Sequence, residues 1–419
     1  MTSGKLSDMT TVDVVQRKVL RVLAGTQVLG SAGVTIGLTV SALAAASLSG
    51  SDTVGGVAQT SAVLGSALFA LPAARLAARS GRRPALIAGY GIGALGAVCA
   101  AIGVITESWQ VVVAALLLFG AAGAANLSTR YAAADLADPS RRARSMALVV
   151  WMATVGAVAG PNLAEPAGKV ARALDLPVNA GPFLLSAVVF AAAGVFVLAL
   201  LRPDPLTIAR SRAAVVTPAH CAGGVADTRG SWQVWRSLSG QARLALSAIA
   251  LCHTAMVGLM SMTPVHMNHA GSSLSVVGIV ISLHVAGMYI ASPVFGWLAD
   301  RVGRVPVLAI GSALVVAAAA IAGMAESHDA PQLAIGLTVL GFGWSAGLVS
   351  GSALLTESVS PDDRPAAQGL SDLLMNVAGA AGGIAAGVVV ATWSFAALGL
   401  VVGVTALPLL VVCLFAALR

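Results

Sequence analysis

Nine of the chain's 17 methionine and histidine side chains fall within 36 consecutive residues: His253, Met256, Met260, Met262, His266, Met267, His269, His284 and Met288. An even spread over 419 residues would leave about one or two there. Two pairs stand out, Met256-x-x-x-Met260 and His284-x-x-x-Met288. On a helix, residues four apart share a face, so each pair presents two ligands on one side. Thioether sulfur and imidazole nitrogen suit a soft ion such as Cu(I) and serve Mg, Ca or Mn poorly. Zinc sites use Cys, His or carboxylate in preference to Met.

The elements that position these side chains follow from composition. Hydrophobic residues make up 58% of the chain and charged residues 10%, and mean hydropathy is +0.90. A soluble domain carries about 25% charged residues. The chain therefore reads as an all-α membrane protein. Taking about 20 apolar residues per crossing, twelve transmembrane helices are expected near 23–48, 54–74, 84–106, 110–134, 145–167, 181–201, 244–266, 273–298, 306–325, 332–356, 366–391 and 394–417. The expected domains are an N-terminal six-helix bundle over 1–201, a cytoplasmic linker over 202–243 rich in Pro and Gly, and a C-terminal six-helix bundle over 244–419. No cleavable signal is evident.

Charge supports this topology. With the N-terminus inside and the spans alternating, 22 of the 24 Lys and Arg fall on the inner side, leaving Lys169 and Arg172 outside. Both termini are then cytoplasmic. The same asymmetry accounts for the net charge of +7 without nucleic acid as a partner. Cys99, Cys221, Cys252 and Cys413 form no CxxC pair and suggest neither a disulfide framework nor a zinc site. No G-x-x-x-x-G-K-[ST] loop is present, so transport would be secondary rather than ATP-driven. No arrangement reads as a hydrolytic or redox active site, and no cofactor is expected.

The two halves repeat in a single ungapped register. Arg79, Gly81, Arg82 and Pro84 match Arg301, Gly303, Arg304 and Pro306, and Asp135, Pro139 and Arg142 match Glu357, Pro361 and Arg364. Parallel six-helix repeats of this kind resemble the major facilitator superfamily. That family's loop motif, roughly G-x-x-x-D-R-x-G-R-R, is similar to Gly296, Asp300, Arg301, Gly303 and Arg304. In the first half Ala74 and Ala78 replace the Gly and Asp, while Arg79, Gly81, Arg82 and Arg83 remain. The resemblance implies twelve helices in two pseudo-repeats, alternating access and a monomer in the lipid bilayer. It also implies that this loop tethers helices and biases the access states.

The seventh and eighth spans run in opposite directions, which puts Met260 and His284 at one depth and Met256 and Met288 at another. Four soft ligands can then gather near the midplane, where such carriers bind substrate. The repeat supplies a control: in its register these four positions match Val34, Leu38, Ala62 and Ser66, none a soft ligand. Cys252, His253, Met262, His266, Met267 and His269 extend the cluster into a candidate metal path. Met-x-x-x-Met on the seventh span, followed by His-x-x-x-Met on the eighth, resembles the CcoA-like copper importers, a bacterial branch of that superfamily. What this implies is copper uptake into the cytoplasm, in relatives linked to supplying copper-containing cytochrome oxidase. Met256, Met260, His284 and Met288 would be the ligands. Where some members carry two cysteines before the Met pair, this chain has Cys252 and Ala248. Close relatives of the branch are tied to riboflavin uptake.

The first span has no charge between Arg21 and Asp52, which counts against a drug antiporter with a carboxylate there. Gly156 to Pro161 resembles an antiporter motif but reads as small-residue helix packing. Arg130 with Asp135, and Glu357 with Arg364, read as structural ion pairs near the inner ends. Asp372 and Asn376, four apart on the eleventh span, are the remaining candidates for a proton or substrate contact. The expected function is import of copper, as Cu(I), across a bacterial cytoplasmic membrane. The alternative is a carrier of a small organic molecule, by drug efflux or riboflavin-like uptake.

Overall fold

A computed structural model describes residues 2–216, 230–269, 271 and 273–417. Cys221 lies outside the described residues. The first half contributes α1 (Thr2–Ser49), α2 (Asp52–Ser80), α3 (Arg82–Ile105), α4 (Trp109–Ala134), α5 (Arg142–Ala173) and α6 (Ala180–Leu200). Two short helices follow, α7 (Pro205–Val216) and α8 (Ser231–Ser237). The second half contributes α9 (Gly240–His269), α10 (Leu274–Ile290), α11 (Ser292–Val302), α12 (Arg304–Gly323), α13 (Ala330–Glu357), α14 (Arg364–Thr392) and α15 (Phe395–Ala417). Among the described residues, twelve candidate spans are long and apolar enough to cross a membrane.

The eighth span is not one helix. It breaks at Ala291 into α10 and α11. Pro293 sits in the first turn of α11, where its missing N–H costs least, and it cannot continue the ladder of α10. The break falls just beyond Met288. Ser292 repairs part of it: its hydroxyl donates to the Met288 carbonyl at 3.2 Å and lies 2.9 Å from the Ser345 hydroxyl of α13.

The chain gathers into two compact units. One comprises 1–137, 152–237 and 360–373, and the other 138–151, 238–359 and 374–419. The division after Ser237 falls inside the expected linker. The first turns of α5 cluster with the second unit and those of α14 with the first, which a split of the sequence into two uninterrupted bundles does not anticipate. Within the first unit α3 lies on α4 and α6, and α2 on α4. Within the second, α13 lies on α9, α10, α11 and α12. Its buried face runs from Leu333 to Thr356 with few interruptions, because small residues (Gly341, Gly343, Gly347, Gly351) let four neighbours approach. In the first unit Gly156 and Gly160 of α5 leave no room for a side chain against Ser31 and Thr35 of α1. Thr35 donates to the Gly156 carbonyl at 3.1 Å. That is close helix packing.

The two repeated loops turn at glycines with positive φ. Gly81 has φ 94° between α2 and α3, and Gly303 has φ 110° between α11 and α12. L side chains rarely adopt that region, which is why both halves keep Gly there.

Candidate metal centre

Helix α13 packs against both helices that carry the two ligand pairs, α9 and α10. On one of its faces Ile249 of α9 meets Gly351, and the Cys252 sulfur would stand 2.8 Å from a Cβ placed on Gly347. Continuing four residues at a time along α9 brings Met256 level with Gly343 and Met260 level with residue 339. On the adjoining face of α13, α10 makes a backbone crossing. A Cβ on Gly341 would stand 2.6 Å from the His284 carbonyl and 2.8 Å from the Met288 nitrogen. Met256 and Met288 thus lie within about 3 Å of one depth, given a rise of about 1.5 Å per residue, as do Met260 and His284. Helices α9 and α10 touch each other little; both are positioned by α13.

His284 is fully buried, Met256 and Met288 nearly so, and Met260 half-buried. The His284 Nδ1 lies 2.7 Å from the Leu337 carbonyl oxygen. A carbonyl only accepts, so Nδ1 carries the proton and the neutral ring keeps its lone pair on Nε2. That Nε2 is buried and has no hydrogen-bond partner among the described residues. Histidines that bind metals are oriented in the same way, with the second ring nitrogen donating to a carbonyl.

The first unit supplies an internal comparison. There Gly120 of α4 crosses Ala62 and Ser66 of α2, the counterparts of His284 and Met288, in the same backbone arrangement. Ser66 donates to the Gly120 carbonyl at 2.9 Å. The crossing is thus made with Ala and Ser in one half and with His and Met in the other. Its packing does not require an imidazole or a thioether.

The candidate path is less open than the sequence suggests. His253 accepts the Trp344 indole N–H at Nδ1, 3.0 Å away, and packs on Gly379 of α14. His266 stacks on Phe395 at 4.2 Å and its Nε2 lies 3.2 Å from the Ala325 carbonyl. Met267 is fully buried and Cys252 nearly so. Met262 is half-buried. His266 and Met267 are therefore packed side chains rather than a solvated loop. The His269 side chain lies outside the described residues. Among the described residues no group of three or more His, Cys, Asp or Glu gathers to hold a metal ion. Any centre here rests on thioethers with one imidazole.

Trp344 was not legible as a site residue. From α13 its indole reaches His253 of α9, and its ring meets Tyr289 of α10 edge-on at 5.8 Å. It ties together the two helices that bear the Met and His pairs. The Gly341-Phe-Gly343-Trp344 run is the signal that marks this stretch of the tenth span.

The loop motif caps and clamps. The Asp300 carboxylate accepts the backbone N–H groups of Ala143 and Arg144, each at 3.0 Å, at the start of α5. It also pairs with Arg304 at 2.9 Å. Arg304 donates to Glu357 at 2.7 Å and to the Pro139 carbonyl at 2.8 Å, and Glu357 meets Arg142 as well. Gly296 permits close approach to Ala143 and Ala147. Arg301 lies over the Trp297 ring at 5.2 Å. In the first unit Arg79 is exposed. Gly81 gives way to the Asp204 carboxylate, which accepts the Arg83 N–H at 2.7 Å. Arg82 is buried against Asp135 at 2.8 Å and also donates to Gln368. Asp135 therefore belongs to Arg82, and Arg130 pairs with Asp372 at 2.7 Å. Their separation across the end of α4 turns Arg130 and Asp135 to different faces, which is why the nearer pairing does not form. Asn376 is buried on the same helix as Asp372.

The crossing at Gly341 yields a prediction. Gly341→Val would press α10 off α13 and spoil the alignment of His284 and Met288. Substrate affinity should fall by roughly 10- to 100-fold, as for loss of a ligand's supporting partner, with the protein still in the membrane. Unchanged uptake in the variant would remove the link between this crossing and the site.

The sequence matches the family model for the Major Facilitator Superfamily over residues 23–273 and 246–419. It is 39% identical to the MFS-type transporter YdeG of Bacillus subtilis (strain 168) over 94% of this chain and 90% of that one. It is 29% identical to the riboflavin transporter RfnT of Brucella anthropi over 74% of each chain. The fold is similar to the human organic anion transporter MFSD10 with TM-score 0.74 and 19% identity, covering 95% of this chain and 99% of that one.

Proposed function

The chain belongs to the Major Facilitator Superfamily, whose members are carriers and not enzymes, and we propose that its cargo is copper, taken inward as Cu(I). Met256, Met260, His284 and Met288 are the ligands in this reading. The observation that carries it is the pair of matching helix crossings. One is closed by Ala62 and Ser66, and the other by Met288 and a buried His284 whose Nε2 has no partner among the described residues. A buried imidazole in a membrane segment is costly unless it has something to bind. Thioethers are uncharged and need no deprotonation, so they can take and release a monovalent soft ion without a trapping charge. The protein then works in the cytoplasmic membrane of a bacterium with both termini inside, by alternating access around a midplane site.

The test is radioactive copper uptake into bacterial cells lacking their own importer, with riboflavin uptake measured in parallel. Met256→Leu and Met288→Leu keep volume and apolarity but remove the sulfur. Copper uptake should fall by roughly tenfold or more in each, as when a metal site loses a partner. The relative RfnT favours a second reading, uptake of a flavin-like organic molecule, with the methionines as a soft apolar wall. Protein-dependent riboflavin uptake that survives both Leu variants, without a copper signal, selects that reading.

A further inference from the structure

The cap that Asp300 makes in one half has no copy in the other. Asp300 of α11 holds the start of α5 through the N–H groups of Ala143 and Arg144. In the register of the repeat Asp300 matches Ala78 of α2, and Ala143 and Arg144 match Pro365 and Ala366 at the start of α14. Ala78 brings no acceptor side chain and Pro365 no N–H donor. The helices nevertheless cross alike. Gly296 of α11 lets Ala147 of α5 approach, and Gly369 of α14 lets Ala74 of α2 approach, with the glycine now on the opposite partner. The first turns of α14 belong to the first unit, while its remainder from 374 belongs to the second.

Helix α7 supplies a link in that place. Its N-terminus is pinned to the turn between α2 and α3. There the Asp204 carboxylate accepts the N–H groups of Leu206 and Thr207 at 2.9 and 3.3 Å and that of Arg83 at 2.7 Å. Within two turns Arg210 reaches two elements at once. Its guanidinium donates to the Ala78 carbonyl at 2.6 Å and to the Asp362 carbonyl at 3.4 Å, and its Nε lies 3.2 Å from the Asp362 carboxylate. Ala78 is in the last turn of α2, where carbonyls lack partners within the helix and a cation is favoured. Asp362 stands two residues ahead of α14. The planar fork of arginine can hold both; the single ammonium of lysine cannot do so in the same geometry. Helix α8 covers the same seam. Its Val234 is buried, beside a cavity of about 20 Å³, room for one water, lined also by Ala74, Ala78, Ala366 and Leu370. All of these groups lie in the first unit.

We propose that α7 is a latch for α14: Arg210 ties the loop ahead of α14 to the end of α2, in place of the carboxylate that position 78 lacks, and lets go each time α14 parts from α2 during transport. This rests on the chain working by alternating access and not on the identity of its cargo.

Thiol labelling of the purified protein in detergent tests it without any cargo. Cys99, Cys221, Cys252 and Cys413 are replaced by alanine, and Leu370→Cys puts one thiol in the seam between α2 and α14. In this parent, Arg210→Gln should raise the rate of labelling by a hydrophilic maleimide roughly threefold to tenfold, the weight of one or two partly exposed hydrogen bonds. Adding Ala78→Asp to Arg210→Gln restores an acidic residue where the other half has Asp300, and should return the rate to near that of the parent. A rate unchanged by Arg210→Gln overturns the latch, and so does a raised rate that Ala78→Asp fails to lower. If Arg210→Gln does not reach the membrane, Arg210→Lys decides: labelling at the parent rate there overturns it. Copper uptake plays no part in the readout, so failure of the copper assignment and failure of the latch are separate results.

Discussion

Copper accumulation should drop to the level of cells without the carrier when His284 is replaced by alanine, and equally when it is replaced by glutamine. The two substitutions separate ligation from packing. His284→Ala removes both the Nδ1–H bond to Leu337 and the free Nε2. His284→Gln keeps an N–H donor for the Leu337 carbonyl but offers an amide oxygen, a hard donor that suits Cu(I) poorly. Loss of even an outer-shell partner costs metal sites roughly 10- to 100-fold, so loss of the imidazole itself should reach or exceed that in both variants. Protein level in the membrane is measured alongside. Uptake restored by Gln would make His284 a hydrogen-bonding group, and the case for a metal centre would fall with it. The same result would strengthen the organic-substrate reading, in which a polar anchor is all the position supplies.

Asp135→Ala is expected to destabilise the purified protein by about 3–5 kcal/mol, the usual cost of stripping one partner from a buried ion pair. The Arg82 side chain is 5% exposed and that of Asp135 fully buried. Without Asp135 the guanidinium keeps a hydrogen bond to Gln368 and has Asp372 nearby, a carboxylate already paired with Arg130, so the buried charge is less well compensated. Replacing both partners by apolar residues, Arg82→Met with Asp135→Leu, should recover most of the loss, because removing a buried pair outright is often neutral. Thermal unfolding in detergent reads both effects. An Asp135→Ala protein within about 1 kcal/mol of wild type would show that the pair is compensated by groups other than those described.

The ion pairs show where reading the chain in order reaches its limit. Arg130 and Asp135 are near in sequence and alike in depth, yet each binds a residue from another helix. Helical periodicity gives the face and the depth of a side chain. It does not say which helix stands opposite that face. For the same reason His253, His266 and Met267 read as ligands along a path, while the fold uses them against Trp344, against Phe395 and in core packing.

What the sequence by itself determined was what depends on length, apolarity and repeat: twelve spans, duplicated halves and a glycine in each of the two repeated loops. These follow from the fixed rise of a helix per residue and from a hydrocarbon layer that every span must cross. Only the tertiary structure decided the rest. It placed both ligand helices on α13 rather than on each other and broke the eighth span beyond Met288. It fixed the His284 tautomer through the Leu337 carbonyl, paired Asp372 with Arg130, and set Trp344 between α9 and α10. Each of these turns on the azimuth of one helix about another, which is set by the fit of small residues at crossings such as Gly341 and Gly120 and leaves no mark in local periodicity.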